Sequence, residues 1–133
     1  MKIEGKCHCG AIEYEANIDP EKTGVCHCTD CQILSGAPFR ASVPALAADF
    51  HILRGTPKIY IKTSASGARR AQAFCPDCGT PIYAAAAENP VQYNLRLGAI
   101  AQRAEIPARK QSWCSAALAW AQDVEHLPGT PQQ

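Results

Sequence analysis

The clustering of cysteines constrains this chain more than any other feature. Eight cysteines occur in 133 residues, and the sequence places seven of them in three tight groups: Cys7 and Cys9; Cys26, Cys28 and Cys31; Cys75 and Cys78. Thiols one or two residues apart can face a single ion, whereas a disulfide framework needs an oxidising compartment. The first residues lack the apolar run of a secretory signal. We therefore expect a cytoplasmic protein whose cysteines bind metal.

Charge and hydropathy argue against two classes of partner. Thirteen Lys and Arg residues against twelve Asp and Glu residues leave a net charge of +1, which gives no strong field for nucleic acid or acidic lipid. The longest uncharged apolar stretch, residues 82–87, is far shorter than the ~20 residues that a membrane-spanning helix needs. We expect no nucleic-acid partner and no membrane partner, and the sequence leaves the oligomeric state open.

Alternation of apolar and polar residues predicts a mainly β fold. Residues 11–16 place Ile12 and Tyr14 on one face of a strand, and the same period of two recurs over residues 58–62 and 91–97. Shorter strands are predicted over residues 39–43 and 71–74, with residues 64–67 as a hairpin connection. Ten prolines and nine glycines favour many turns. We expect one domain over residues 1–133, a short helix over residues 115–122, and a loose tail after about residue 127.

Cys75 and Cys78 belong to a Cys-Pro-Asp-Cys-Gly motif that is typical of a zinc knuckle. The two-residue spacer lets both sulfurs face one ion, and Gly79 permits a left-handed turn behind them. Because a structural zinc needs four ligands, two more thiolates must come from elsewhere in the chain. Cys7 and Cys9 are one candidate pair, and the cluster that begins at residue 26 is the other candidate group.

The cluster at residues 26–31 can surround one ion by itself. Its Cys-x-Cys-x-x-Cys spacing supplies three sulfurs, and three protein ligands is the number that leaves a catalytic zinc with an open position. Three thiolates outweigh the charge of zinc, so this site would activate water poorly but would hold another sulfur donor well. The partition that fits these numbers is one closed site and one open site: Cys7, Cys9, Cys75 and Cys78; Cys26, Cys28 and Cys31.

Three motifs in this order resemble the glutathione-dependent formaldehyde-activating enzyme family, which includes centromere protein V. They are Cys-His-Cys-Gly-Ala-Ile-Glu-Tyr from residue 7, Cys-His-Cys-Thr-Asp-Cys-Gln from residue 26, and Phe-Cys-Pro-Asp-Cys-Gly-Thr-Pro from residue 74. The resemblance implies a β-tent fold of small antiparallel sheets and a carbon–sulfur lyase that joins glutathione to formaldehyde. It also implies one structural and one catalytic zinc per chain: at Cys7, Cys9, Cys75 and Cys78, and at Cys26, Cys28 and Cys31.

Several other side chains admit two interpretations. Four arginines either hold the carboxylates of a glutathione-like ligand or are unpaired surface residues: Arg40, Arg69, Arg70 and Arg96. Asp30 either acts as an acid or base or caps a turn. Cys114 is either a fourth ligand of the open site or a small buried apolar residue. Trp113 and Trp120 either line a substrate pocket or belong to the core.

Two functions remain in competition. In the first, the open zinc holds a small thiol such as glutathione, which adds to an aldehyde or leaves from it. In the second, both zinc ions are structural and the sheet surface binds another macromolecule. The first is favoured because the chain lacks the basic extension that a nucleic-acid or filament binder would need, and because Cys26, Cys28 and Cys31 have no obvious fourth protein ligand.

Overall fold

Ten strands and one α-helix form the framework of the computed structural model, which describes residues 1–133. The strands are β1 Lys2–Lys6, β2 Glu13–Asn17, β3 Gly24–Cys26, β4 Arg40–Leu46, β5 Phe50–Arg54, β6 Lys58–Thr63, β7 Arg69–Phe74, β8 Pro81–Ala86, β9 Gln92–Arg96 and β10 Lys110–Ser112. The helix, α1, spans Thr29–Ser35. Short 3₁₀ turns account for the remaining helical residues.

The strands are arranged in two sheets. The smaller sheet has the order β1-β2-β5, and the larger has the order β10-β3-β4-β9-β8-β7-β6. Every strand pair is antiparallel except β10 with β3. The predicted mainly β fold of antiparallel sheets is therefore confirmed. None of the helices has the length and apolar character that crossing a membrane requires.

The core joins one face of each sheet. Tyr14 on β2 packs in the same apolar cluster as Val43 on β4 and Leu95 on β9. Phe50 contacts Tyr14 and Tyr83 edge to face, with ring centroids 5.5 Å apart in each pair. The period of two seen in the sequence thus reflects burial on this shared face.

The opposite face of the larger sheet is polar, and it positions the candidate site. Arg40 on β4, Arg96 on β9 and Gln72 on β7 lie on this face and line one cavity. Arg96 and Ser42 are register partners across β4 and β9, and Arg96 Nη1 donates to Ser42 Oγ over 3.0 Å. Because side chains alternate along a strand, the residues between these polar positions supply the core instead.

The hairpin predicted at residues 64–67 is confirmed, since β6 and β7 pair on either side of it. The helix predicted over residues 115–122 is wrong. Two 3₁₀ turns, Cys114–Ala116 and Ala119–Gln122, stand there instead, separated by extended backbone at Leu118. The segment buries no side chain, and a helix this short is unstable in water without an apolar face to pack. The one real helix, α1, was not predicted.

Candidate metal centres and adjoining cavity

The sulfurs of the first two and the last two clustered cysteines lie together in the fold. The Sγ atoms of Cys7, Cys9, Cys75 and Cys78 all lie within 4.8 Å of one another. Cys9 Sγ is 3.7 Å from both Cys7 Sγ and Cys75 Sγ. A tetrahedral zinc site with bonds of about 2.3 Å separates its sulfurs by about 3.8 Å. This cluster, the closed cluster, therefore fits a four-coordinate metal ion.

Two similar turns hold the sulfurs of the closed cluster. After β1, Gly10 has a φ of +82° and its N–H donates to Cys7 O over 3.1 Å. After β7, Gly79 has a φ of +78° and its N–H donates to Cys75 O over 2.9 Å, which confirms the predicted left-handed turn. The Ile12 N–H also donates to Cys7 Sγ over 3.2 Å, a bond that favours the thiolate.

Thr80 links the two turns of the closed cluster. Its Oγ1 accepts a bond from the His8 N–H over 3.1 Å and lies 3.2 Å from Cys78 Sγ. Bonds from the Thr80 hydroxyl and from nearby backbone N–H groups lower the pKa of Cys78 to about 5. Since metal ligands must be thiolates, this environment prepares Cys78 for coordination.

A second group of three sulfurs, the open cluster, lies at the start of α1. The Sγ atoms of Cys26, Cys28 and Cys31 are within 4.8 Å of one another, and no other Cys, His, Asp or Glu atom joins them. Cys28 is the N-cap residue of α1, and its Sγ accepts the Cys31 N–H over 3.3 Å. Cys31 lies in the first turn of α1, and this helix is therefore capped by another sulfur of the same cluster.

The open cluster has the donor chemistry of a cation site. Burial, together with the neighbouring Cys28 and Cys26 thiol groups, raises the pKa of Cys31 to about 12. Three thiolates this close repel one another, so full ionisation requires a positive charge among them. A soft divalent cation such as zinc supplies that charge and prefers sulfur ligands.

The residues around the open cluster are tied together by side-chain bonds. His27 is buried, and its Nε2 lies 3.0 Å from Gln111 Oε1. Gln32 Nε2 donates to the carbonyls of His27, over 2.8 Å, and of Ala116, over 3.1 Å. Asp30 does not cap the helix. Its carboxylate instead pairs with Lys62 Nζ at 2.6 Å.

A cavity of about 520 Å³ adjoins the open cluster, whose three cysteines form part of its wall. Its volume lies within the range of small-molecule sites. Asp30 is the one carboxylate in the lining, and it is already paired with Lys62. The lining also contains six basic residues: Lys22, Arg40, Lys62, Arg70, Arg96 and Lys110. The cavity is therefore strongly positive although the chain as a whole has a net charge of only +1.

Two of these arginines form the floor of the cavity. Arg40 is 6% exposed and Arg96 is 9% exposed, so the surface interpretation is wrong for both. Gln72 Oε1 accepts from Arg40 Nη1 over 3.1 Å and from Arg96 Nη2 over 3.0 Å. Burial, together with the positive charge of Arg40, lowers the pKa of Arg96 to about 9. Arg69, in contrast, is exposed and paired with Glu88.

Sequence reasoning did not identify Gln72. A signal was present, because Arg70 and Gln72 alternate with Ala71 and Ala73 along β7. When small apolar residues and polar residues alternate at every second position, the pattern indicates a strand with one polar face. The sequence alone could not tell that this face lines a cavity.

The late aromatic residues and the eighth cysteine differ from their core interpretations. Trp113 is 63% exposed and lines the cavity, whereas Trp120 is 61% exposed and lies outside it. Trp113 also has a φ of +55°, a conformation that bulky residues seldom adopt. Cys114 is exposed and belongs to neither cluster. The expectation that it is buried is wrong, and it is not a fourth ligand of the open cluster.

Fold and clusters together define a small, mainly β protein with two groups of cysteines that could each hold a metal ion. Comparison with known families agrees with this class. The family model described as glutathione-dependent formaldehyde-activating enzyme matches residues 2–116. The chain belongs to this family.

Two further similarities were found. The chain is 33% identical over 86 residues to an uncharacterized lyase of Schizosaccharomyces pombe. That match covers 62% of this chain and 56% of the yeast protein, so the chain spans little more than half the length of this relative. The crystal structure of a Rhodobacter sphaeroides protein superimposes with a TM-score of 0.63 at 20% identity, covering 82% of this chain and 99% of the other. The latter similarity is one of fold.

Proposed function

We propose that this protein is a zinc-dependent carbon–sulfur lyase that forms or cleaves the adduct between a small thiol, such as glutathione, and an aldehyde, such as formaldehyde. The observation that carries the proposal is the open cluster, three sulfurs without a fourth protein ligand on the wall of a positively charged cavity. The matching family and the yeast relative, whose name includes the word lyase, support the same class of reaction.

Each cluster has its own role in this proposal. The closed cluster holds a structural zinc through Cys7, Cys9, Cys75 and Cys78, and so braces the chain as one domain. The open cluster holds a second zinc through Cys26, Cys28 and Cys31. Zinc in a site with a free position supplies a Lewis acid that lowers the pKa of a thiol bound beside it.

The reaction itself needs no oxidant or reductant. The substrate sulfur forms a bond to the carbonyl carbon, the carbonyl π electrons move onto oxygen, and the proton lost by the thiol ends on that oxygen. Cleavage follows the same steps in reverse. The chain contributes by holding both reactants in one cavity, where the orientation of reacting groups lowers the barrier, and by presenting basic side chains to an anionic thiol compound.

Catalysis can be measured as the rate of exchange between formaldehyde and S-hydroxymethylglutathione, followed by NMR with the zinc-loaded protein. We expect acceleration above the uncatalysed exchange and its loss in Cys28→Ser. Cys114→Ser is the matched control, because Cys114 is exposed and outside both clusters. If the parent protein does not accelerate exchange above background, the proposal is wrong for this substrate pair, and a non-catalytic zinc module becomes the better explanation.

A further inference from the structure

The floor of the cavity contains positive charge that no residue of the chain neutralises. Arg40 and Arg96 are both more than nine-tenths buried, yet neither forms an ion pair with a carboxylate. Both donate instead to the same neutral acceptor, Gln72 Oε1. Buried charges are normally paired, since an unpaired charge in a poorly solvated place is costly. No carboxylate of the chain therefore neutralises this floor.

One donor of this floor is unused. Arg40 Nε is buried and has no hydrogen-bond partner, although the Nη1 of the same side chain is bonded to Gln72. A guanidinium binds a carboxylate best through an edge that offers two parallel N–H groups, and Nε is one corner of such an edge. Arg40 therefore lacks part of the hydrogen bonding that a buried guanidinium needs, and because Nε has almost no accessible surface, a ligand would reach it only after a shift of the side chain.

The thiolates of the open cluster do not remove the need for an anion. Three thiolates and one divalent ion sum to a charge of −1, whereas the two buried guanidinium groups sum to +2. Arg70 lines the same cavity and is also without a carboxylate partner. Positive charge remains in the cavity even when the open cluster is counted as fully ionised and loaded with zinc.

The register of the larger sheet places this floor beside the open cluster. Arg40 on β4 is the direct antiparallel partner of Cys26 on β3. Directly opposite residues of an antiparallel pair have Cβ atoms about 5 Å apart and point to the same face. A small molecule held at Arg40 therefore lies close to the sulfurs of the open cluster.

We infer that Arg40, Arg96 and Gln72 form a carboxylate-binding subsite, and that the substrate of the open cluster carries a carboxylate group held there. The inference rests on the proposed function for the identity of the reacting group, a thiol or an aldehyde. Formaldehyde has no anionic group and would gain nothing from this floor. The carboxylate therefore belongs either to the thiol, as in glutathione, or to an aldehyde that bears a carboxylate, as in glyoxylate.

The test measures binding of two probes to the zinc-loaded full chain by calorimetry and NMR titration. S-methylglutathione carries the carboxylates of glutathione without its free thiol, and glyoxylate carries a carboxylate on the aldehyde. The variants are Arg40→Met, which removes the charge, and Arg40→Lys, which keeps the charge and loses the guanidinium fork. Arg69→Met is the matched control, since Arg69 is exposed and lies outside the cavity lining.

We expect Arg40→Met to weaken at least one probe by about tenfold or more, the usual scale for losing a charge-assisted bond, and Arg69→Met to leave binding unchanged. Arg40→Lys should fall between the parent and Arg40→Met. Weakening of S-methylglutathione alone assigns the carboxylate to the thiol, and weakening of glyoxylate alone assigns it to the aldehyde. Equal binding of both probes to parent and Arg40→Met overturns the inference, and so does failure of both probes to bind the parent.

Two controls keep the result interpretable. Metal analysis must find the same zinc content in parent and variant, because loss of one zinc ion from Arg40→Met would show that the arginine balances the cluster rather than binding substrate. If Arg40→Met does not fold, Arg40→Lys and Arg96→Lys test the loss of the guanidinium fork instead, and unchanged binding of both probes to both lysine variants overturns the inference. Probe binding without acceleration of adduct exchange overturns the proposed function and leaves the subsite standing. If the folded arginine variants accelerate adduct exchange as well as the parent does, the subsite is overturned and the proposed function stands.

Discussion

The two cysteine clusters should respond very differently to the same substitution. Cys75 is fully buried in the closed cluster, and Cys75→Ser removes one of four sulfurs that tie the end of β7 to the turn after β1. Structural zinc contributes on the order of 10 kcal/mol to small metal-binding domains, whereas a whole domain is stable by roughly 5 to 15 kcal/mol. Cys75→Ser is therefore expected to unfold most of the protein at room temperature.

Cys28→Ser offers a sharp contrast because of the local geometry. Cys28 is the N-cap residue of α1, and its Sγ accepts the Cys31 N–H. Serine is among the best N-cap residues, so its hydroxyl can accept the same bond. We expect the exchange of the cap itself to change the free energy of unfolding by no more than about 1 kcal/mol, which shifts the melting temperature by roughly 3 to 5 °C in a chain of this size. Loss of the ion bound at the open cluster lowers the stability of the zinc-loaded variant further, by an amount that depends on the free zinc concentration.

Thermal and urea unfolding of reduced, zinc-loaded protein, followed by far-UV circular dichroism, measures both effects. Metal analysis should find about one zinc ion per chain in Cys28→Ser and about two in the parent. Cys114→Ser serves as the control for removing an exposed thiol. The assignment of closed and open clusters is refuted if Cys28→Ser unfolds as readily as Cys75→Ser, or if Cys75→Ser melts within a few degrees of the parent.

Three further outcomes follow from the structure. The Tyr14 hydroxyl is buried without a partner, so Tyr14→Phe should raise the melting temperature by removing a penalty of about 1 to 3 kcal/mol. The control Tyr60→Phe, at an exposed position, should leave the melting temperature unchanged, and an unchanged melting temperature for Tyr14→Phe would contradict the reasoning. A Cβ added at Gly5 would lie 1.9 Å from the Tyr14 ring, whereas a Cβ added at Gly98 would have no neighbour within 4 Å. Gly5→Ala should therefore lower the free energy of unfolding by roughly 1 to 3 kcal/mol more than Gly98→Ala, and equal urea midpoints for the two variants would argue against this packing. Because the pKa of Cys31 is raised to about 12 in the absence of metal, that thiol is protonated at pH 7, and zinc binding must release its proton. Calorimetry in buffers of different ionisation enthalpy should detect the released proton and a zinc affinity that rises with pH, and an affinity independent of pH would refute this expectation.

Several structural elements could be predicted from the sequence because neighbouring residues in the chain specify them. The Cys-Pro-Asp-Cys-Gly motif at residue 75 predicts a turn with a left-handed glycine, and Gly79 has the required φ of +78°. The strand containing Tyr14 was predicted from its period of two, because burial on one face imposes that period directly. In each case the residues that specify the feature are within a few positions of one another.

Other elements failed because their stability depends on distant partners. The predicted helix over residues 115–122 has a suitable composition but no face to bury, and only 3₁₀ turns form there. The helix α1 has no apolar period and no buried residue. It is held by the Cys28 cap, by the left-handed Gly36 at its C-terminus and by the bond from Gln32 to Ala116, and the last of these depends on the tertiary fold.

Spacing along the chain was sufficient to place seven cysteines in three tight groups, because thiols two or three positions apart are held together by the covalent chain itself. The expectation that Cys7 and Cys9 share a site with Cys75 and Cys78 came from the ligand count of a structural zinc and from the family resemblance. The cavity floor could not be obtained in this way. Arg40, Gln72 and Arg96 come from three strands, and which of the many polar residues meet there depends on strand order and register. Those two properties are set by how the whole core packs, so only the tertiary structure reveals that two buried arginines lie beside the open cluster.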